Sequence, residues 1–298
     1  MVIAVEKIAF LFPGQGSQHI GMGSELVEDP RAKPLYESAE EIMGFDLLEL
    51  MLDGPEDTLS STENAQPAIF TDSLARYRIL VDEGNEPDYV LGHSLGEFSA
   101  LAAAGCISFK QGLHIVKKRG ELTGNVNVEG SMVAVLGVEY SKAEEIVNAM
   151  KEPLTVANYN SPRQVVISGR EDHLTKSCEK LREEGAKCIK LDVSGPFHSR
   201  FMEGAERELR EYIDRYDFRD PKVPVLSGVT GEFERSGQRL KNLLSRQMTH
   251  PVRWVDYVKL LSECGVDTTI EVGPGGTLTK LNKRIDPGLD GKVFDEVI

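Results

Sequence analysis

The sequence predicts an α/β protein, a largely parallel sheet covered by helices on both faces and carrying a smaller inserted unit. Two observations predict it. Short apolar, β-rich runs alternate with segments of helical periodicity early in the chain and again towards its end. Between about residues 128 and 195 the order changes to β-α-β-β-α-β. At 298 residues the chain accommodates one large domain or two smaller ones, and either buries a core without staples.

Lys7–Phe12 is apolar and β-rich and stops at Pro13-Gly14, which predicts a first strand. Leu26 to about Leu52 reads as mostly helical, with turns at Asp29-Pro30 and Asp53-Gly54-Pro55. From Pro67 to about Val81 the apolar residues Ile69, Leu74, Tyr77 and Leu80 recur at helical spacing. Tyr89–Leu91 is a brief strand, followed at once by Gly92-His93-Ser94-Leu95-Gly96 and an Ala-rich helix from Glu97 to Ala104. The middle then runs strand Ser131–Gly137, helix Ser141–Met150 and strand Thr155–Tyr159. A turn at Asn160-Ser161-Pro162 leads to strand Gln164–Ser168, helix Glu171–Glu184 and strand Lys187–Leu191. That is the split βαβ order of a ferredoxin-like unit, so residues 128–195 form a predicted small subdomain and residues 1–127 with 196–298 the large one. Beyond it come helix Met202–Tyr212, strand Val223–Leu226, helix Trp254–Glu263 and strand Thr268–Val272. Gly273-Pro274-Gly275-Gly276 then turns the chain into a last helix.

Lys and Arg total 34 against 48 for Asp and Glu, a net charge of −14. This balance excludes nucleic acid and an anionic membrane surface as main partners, because both need clustered cations. With 40% hydrophobic and 28% charged residues, the composition is that of a globular fold, not a disordered one. No apolar run approaches the ~18 residues of a membrane span. The N-terminal MVIAVEKIAFLF is broken by Glu6 and Lys7 and lacks a small-residue cleavage site, so it reads as a strand and not a signal peptide. Cys106, Cys178, Cys188 and Cys264 show no metal-ligand or redox spacing, consistent with free thiols in a reducing compartment. The expectation is a cytoplasmic protein without a metal.

Gly92-His93-Ser94-Leu95-Gly96 matches the G-x-S-x-G nucleophile elbow in its required setting, strand before and helix after. Glycines two residues either side are needed because side chains there would clash at so sharp a turn. Taken alone, the pentapeptide also fits an ordinary turn serine. A serine nucleophile needs a base. His93 diverges from its neighbour on an elbow, and His19, His114, His173 and His250 sit in helical or loop contexts. His198, in the loop that leaves the small subdomain, is the outstanding candidate, although a lone loop histidine is commonly just solvated. Gly14-Gln15-Gly16 lets backbone N–H groups converge on an anion, as an oxyanion hole or a phosphate cradle does, but no phosphate-loop pattern is satisfied.

Six segments in order, FPGQGSQ at 12–18, GHSLGE at 92–97, Arg119-Gly120, NYNSP at 158–162, GPFHS at 195–199 and QM-x-x-PVRW at 247–254, resemble the malonyl-CoA:acyl-carrier-protein transacylases and the acyltransferase domains of polyketide synthases. The resemblance runs from Phe12 to about Leu281 and implies a hydrolase-like α/β core with an inserted ferredoxin-like subdomain. It implies Ser94 as nucleophile, His198 as base, and the backbone N–H groups of Gln15 and Leu95 as oxyanion hole. It implies that a backbone carbonyl in place of an Asp orients the imidazole, with Gln247 at that position. Arg119 would bind the free carboxylate of a malonyl group, although by itself it reads as the end of a solvated run, Lys117-Lys118-Arg119. Phe197 resembles the malonyl-selective members, where a bulky ring leaves little space for an α-methyl branch. Malonyl-CoA and an acyl carrier protein are the implied partners, and no cofactor is implied.

Many members continue the arginine segment as R-G-x-L-M-Q, whereas this chain has Arg119-Gly120-Glu121-Leu122-Thr123-Gly124, which alters the expected wall of the acyl pocket. That segment, with Val116-Lys117-Lys118 before it and His198-Ser199-Arg200-Phe201-Met202, looks more like the discrete trans-acting acyltransferases of polyketide assembly lines than fatty-acid enzymes. Rival readings are a fatty-acid malonyltransferase, an acyl hydrolase on the same scaffold, and a silent docking module. An acidic carrier protein meeting an acidic enzyme would need a local basic surface. The candidates are Lys187, Lys190, Arg200, Lys280, Lys283 and Arg284.

Overall fold

The computed structural model describes residues 6–126 and 129–298. The start of the N-terminal run and the predicted boundary at 127/128 lie outside the described residues. The strands, in chain order, are β1 (Ile8–Phe12), β2 (Tyr89–Gly92), β3 (Ser131–Leu136), β4 (Leu154–Ser161), β5 (Gln164–Gly169), β6 (Lys187–Lys190), β7 (Val225–Leu226), β8 (Phe233–Glu234), β9 (Thr268–Glu271) and β10 (Asp290–Val293).

The first sheet has the order β10-β9-β1-β2-β7-β8, parallel except for the antiparallel β7–β8 pair. Ala9 to Phe12 are wholly buried, as expected for a central parallel strand covered on both faces. The β1–β2 register pairs Phe12 with Gly92, so both strands end side by side and release the Gln15 loop and the Ser94 turn at one edge. Ligand crevices of parallel sheets form at this carboxyl edge.

The second sheet, β4-β5-β3-β6, is wholly antiparallel and falls within the predicted span 128–195. Side chains alternate along its strands. Val133, Val135, Val165 and Ile167 pack with helix residues Ala143, Val147, Leu174 and Leu181. Met132 and Val166 turn to the other face, towards Leu191, Val193 and Phe197. The segment at Val252 docks on β4 through Tyr159 N–H to Val252 O and Val252 N–H to Ala157 O, both 2.8 Å, which ties the second sheet to the chain leading into helix Trp254–Glu263.

Besides the short helices Glu56–Ser60 and Gly237–Leu244 and strand β8, two elements that escape the sequence reading matter for the site and the sheet. Helix Phe109–Gly124 carries Arg119, and its start is marked by the capping box of Ser108 and Gln111. Its buried face is Gly112, Val116, Arg119 and Thr123, at helical spacing of four, three and four. Strand β10 is polar and lies at a sheet edge, so it has no apolar run to mark it. All four cysteines are free.

Candidate active site

At the end of β2 the chain turns sharply into helix Gly96–Ala103, and Ser94 adopts a left-handed φ of 53°. A Cβ on Gly92 would lie 1.9 Å from the Gly96 carbonyl carbon, and one on Gly96 would lie 1.9 Å from the Phe12 carbonyl oxygen. Both glycines are therefore obligatory, and the second also lets the β1 loop lie against the turn. His93 N–H donates to Phe12 O at 3.0 Å across that contact. The His93 ring is turned away, with Nε2 2.9 Å from Asn160 Oδ1.

His198 arrives from the segment that follows the second sheet, and its Nε2 lies 2.7 Å from Ser94 Oγ. Its Nδ1 lies 2.8 Å from the carbonyl oxygen of His250. A carbonyl only accepts, so Nδ1 carries the proton and the Nε2 lone pair faces the Ser94 hydroxyl. Burial, aided by the nearby positive charge of Arg119, lowers the His198 pKa to about 3, so the ring is neutral near pH 7.

Arg119 is 5% exposed and reaches Ser94 from the opposite side. Its Nη2 donates to Ser94 Oγ at 3.0 Å and to Gln247 Oε1 at 3.3 Å, and its Nη1 donates to Gln66 Oε1 at 2.7 Å. Its Nε has no partner among the described residues, and the guanidinium lies over the Phe98 ring at 5.4 Å. Desolvation lowers its pKa to about 10, still well above neutrality. The nearest opposing charge is Glu97, which makes no ion pair with it and whose own burial raises its carboxyl to about 7.

These groups open into a cavity of about 300 Å³ between the two sheets. Gln15, Ser94, Arg119 and His198 form its polar end, and Met132, Val166, Phe197 and Met248 its apolar wall. The backbone N–H groups of Gln15 and Leu95 have no hydrogen-bond partner among the described residues. A neutral imidazole beside a hydroxyl, two available amides and a buried cation suit acyl transfer to or from an anionic acyl group.

The acyl transferase domain family matches residues 9–287. The chain belongs to this acyltransferase family. A malonyl CoA-acyl carrier protein transacylase of Bacillus subtilis (strain 168) is 42% identical, over 95% of this chain and 91% of that protein. The polyketide biosynthesis protein ThaF of Burkholderia thailandensis is also 42% identical over 95% of this chain, which spans 24% of that longer protein. Among solved structures, an acyl carrier protein S-malonyltransferase from Vibrio cholerae superposes with a TM-score of 0.93 at 38% identity, covering 97% of this chain and 96% of that one. A malonyl-transacylase in complex with its type II PKS acyl-carrier protein reaches the same TM-score of 0.93 at 35% identity, covering 97% and 96%.

In this acyltransferase, Ser94, His198, Arg119, Gln15 and Phe197 line the one cavity, and Leu95 directly follows Ser94. Gln247 needs correction. The carbonyl bonded to Nδ1 of His198 belongs to His250, while the Gln247 carbonyl accepts the His250 N–H at 3.1 Å and only assists at the imidazole. The cause is the short 3-10 turn Gln247–Thr249, which brings the carbonyl three residues further on up to the ring. Gln247 instead acts through its side chain, which donates to Ser94 O at 2.7 Å and Glu97 Oε2 at 2.6 Å. Gln66 and His250 are site residues that sequence reading missed, while Thr123, read from sequence only as an altered pocket wall, does line the cavity. The helical register of Arg119 and Thr123, four apart, would have shown that Thr123 shares the buried face of Arg119.

The basic candidates lie on three elements, Lys187 exposed beside Lys190 on β6, Arg200 in the turn after His198, and the other three on helix Thr277–Ile285. Lys190 is paired with Glu171, and Arg284 donates to Gln164 Oε1 at 3.0 Å. Lys280 and Lys283 line a different cleft, with His19 and Arg76. Arg200 is exposed, two residues beyond His198. Among the described residues no group of three or more His, Cys, Asp or Glu could hold a metal, and no helix is long and apolar enough to cross a membrane.

Proposed function

We propose that this acyltransferase moves malonyl from malonyl-CoA to the phosphopantetheine thiol of an acyl carrier protein by a ping-pong route through Ser94. His198 Nε2 takes the Ser94 proton as Oγ attacks the thioester carbonyl, and the imidazolium then protonates the departing thiol as the C–S bond breaks. The carrier thiol reverses these steps, giving its proton to His198 and receiving the acyl group as the C–O bond to Ser94 breaks. The N–H groups of Gln15 and Leu95 stabilise both tetrahedral oxyanions. Both half-reactions are redox-neutral and use only side chains and backbone, so the reading calls for no cofactor.

The observation that carries it is Arg119, a buried guanidinium 3.0 Å from Ser94 Oγ, held only by neutral acceptors and with Nε unpartnered. A buried cation without a counter-ion is costly, and a malonyl carboxylate supplies one. An acyl hydrolase acting on neutral chains has no use for it. Phe197, on the apolar wall, accounts for selection against an α-methyl branch, worth ~1–3 kcal/mol at most. The test is mass spectrometry after incubation with malonyl-CoA. Wild type gains a malonyl adduct that water does not quickly remove, and Ser94→Ala gains none. An adduct on the Ala variant would remove Ser94 from the nucleophile's role.

Supply of extender units to a polyketide synthase is supported by the Arg119–Gly124 and His198–Met202 segments and by the 42% identity to ThaF. The Bacillus relative, named only as a malonyl CoA-acyl carrier protein transacylase, is equally identical at 42%, so identity does not separate a polyketide from a fatty-acid role. Neighbouring genes decide between them: synthase modules lacking their own acyltransferase sustain the polyketide role, and fatty-acid genes alone overturn it.

A further inference from the structure

Arg119 is seated between two glutamine side chains, and each glutamine is tied from behind. Gln66 turns Oε1 to Arg119 Nη1 at 2.7 Å, and its Nε2 donates to Thr123 Oγ1 at 3.0 Å. The Thr123 hydroxyl proton is spent on the Arg119 carbonyl at 2.8 Å, so only a lone pair faces Gln66. Gln247 turns Oε1 to Arg119 Nη2, and its Nε2 donates to Ser94 O and Glu97 Oε2. Glu97 Oε1 in turn accepts the Gly228 N–H at 3.1 Å. All five side chains, Gln66, Glu97, Arg119, Thr123 and Gln247, are buried.

We propose that Thr123 and Glu97 are positioning residues that lock the amide orientation of Gln66 and Gln247, so that two carbonyl oxygens hold the Arg119 guanidinium over Ser94 for acyl donors bearing a free carboxylate. An amide presents oxygen on one side and NH2 on the other, and guanidinium nitrogens are donors only. An amide turned the wrong way would set donor against donor in a buried site, at the cost of an unsatisfied group. Neutral oxygens orient the cation without competing for the substrate carboxylate as a direct Asp or Glu partner would. Glu97 stands one side chain further back, bonded to Gln247 and not to the guanidinium, so it ties the amide without closing the clamp. A threonine hydroxyl supplies this tie on the Gln66 side, which an apolar side chain at position 123 could not.

The inference rests on Arg119 being the carboxylate clamp, and the test separates the two ideas. Acylation of Ser94 is timed with malonyl-CoA and acetyl-CoA for wild type, Thr123→Val, Thr123→Ser, Glu97→Gln and Arg119→Ala, with thermal melts alongside. Thr123→Val and Glu97→Gln each lower the malonyl-to-acetyl ratio of kcat/KM about three- to tenfold, mainly through KM for malonyl-CoA. Thr123→Ser keeps the hydroxyl and keeps the wild-type ratio. If Arg119→Ala abolishes the ratio while Thr123→Val leaves it intact, the lock is wrong and the clamp stands. If Arg119→Ala leaves the ratio intact, the clamp itself falls. Equal losses with both donors in Thr123→Val, together with a lower melting temperature, mark a purely structural hydroxyl and overturn the lock. Should Glu97→Gln fail to fold, the Thr123 pair still decides.

Discussion

Ser94 and His198 both sit at left-handed φ, 53° and 54°, and meet at 2.7 Å from different parts of the chain. Strain of this kind persists only where the surroundings overdetermine it. For Ser94 they are Gly92 and Gly96, and for His198 they are the His250 carbonyl and the burial of the ring. Burial has a measurable consequence. An ordinary imidazole near 6.5 is lowered to about 3 in the native chain, so between those values the unfolded chain binds a proton that the native chain does not. Stability therefore falls as pH drops from about 6.5 towards 3. Glu97 works in the opposite sense: its pKa rises from 4.5 to about 7, so its favourable contribution is complete below 4.5 and disappears as pH rises through 7. Replacing His198 with Asn should then lessen the drop in melting temperature between about pH 7 and pH 5. An unchanged drop would mean that the native ring is not shielded. Ser94, His198 and Arg119, the nucleophile, base and clamp of the proposed function, were singled out in the sequence through ordered motifs. The His250 carbonyl was not, because a backbone acceptor leaves no mark in side-chain identity.

The strand-to-helix turn after β2 and helix Phe109–Gly124 are the two elements that aim the chemistry. Adding a methyl group at Gly96 would drive a Cβ to 1.9 Å from the Phe12 carbonyl oxygen, backbone against backbone. Neither partner is a flexible side-chain end, so Gly96→Ala should cost the protein its soluble fold or several degrees of melting temperature, together with most acylation of Ser94. A Gly96→Ala protein with wild-type melting and acylation would contradict this packing. The turn was predictable because the clash of a Cβ at Gly92 with Gly96 is local, whereas the approach of Phe12 to Gly96 is set by the fold. Helix Phe109–Gly124 was missed although Ser108 and Gln111 mark its start, since Lys117-Lys118-Arg119 reads as solvated until the helical register is drawn. In the folded chain Lys117 donates to Ile42 O at 2.9 Å and Lys118 lies near Glu121, while Arg119 points inward.

For the whole molecule, the charge of −14 would hinder encounter with the acidic carrier protein that the proposed function calls for. The six basic residues nominated from sequence fall on three separate elements, Lys187 and Lys190 on β6, Arg200 in the turn after His198, and Lys280, Lys283 and Arg284 on helix Thr277–Ile285. Lys190 is paired with Glu171. Arg200 is exposed, has no ion pair among the described residues and lies in sequence between His198 and Met202 of the cavity lining, so it is the candidate steering charge tested first. Arg200→Glu should lower kcat/KM for the carrier protein more at low salt than at high, and Lys190→Glu should change it little. A salt-independent loss for Arg200→Glu would remove it from steering.

The sequence by itself determined the α/β class, the ferredoxin-like order of the insert, the acyltransferase motifs and the identity of Ser94, His198 and Arg119. Each rests on local periodicity, a local clash or an ordered motif, information carried by neighbouring residues. Tertiary structure alone decided that the His250 carbonyl and not that of Gln247 meets the imidazole, and that Gln66, Thr123, Gln247 and Glu97 converge on Arg119. These contacts join residues 52 to 150 positions apart, apart from the one helical step between Arg119 and Thr123. Burial makes each of them obligatory, because a polar group shut away from water must find its partner wherever the fold brings one.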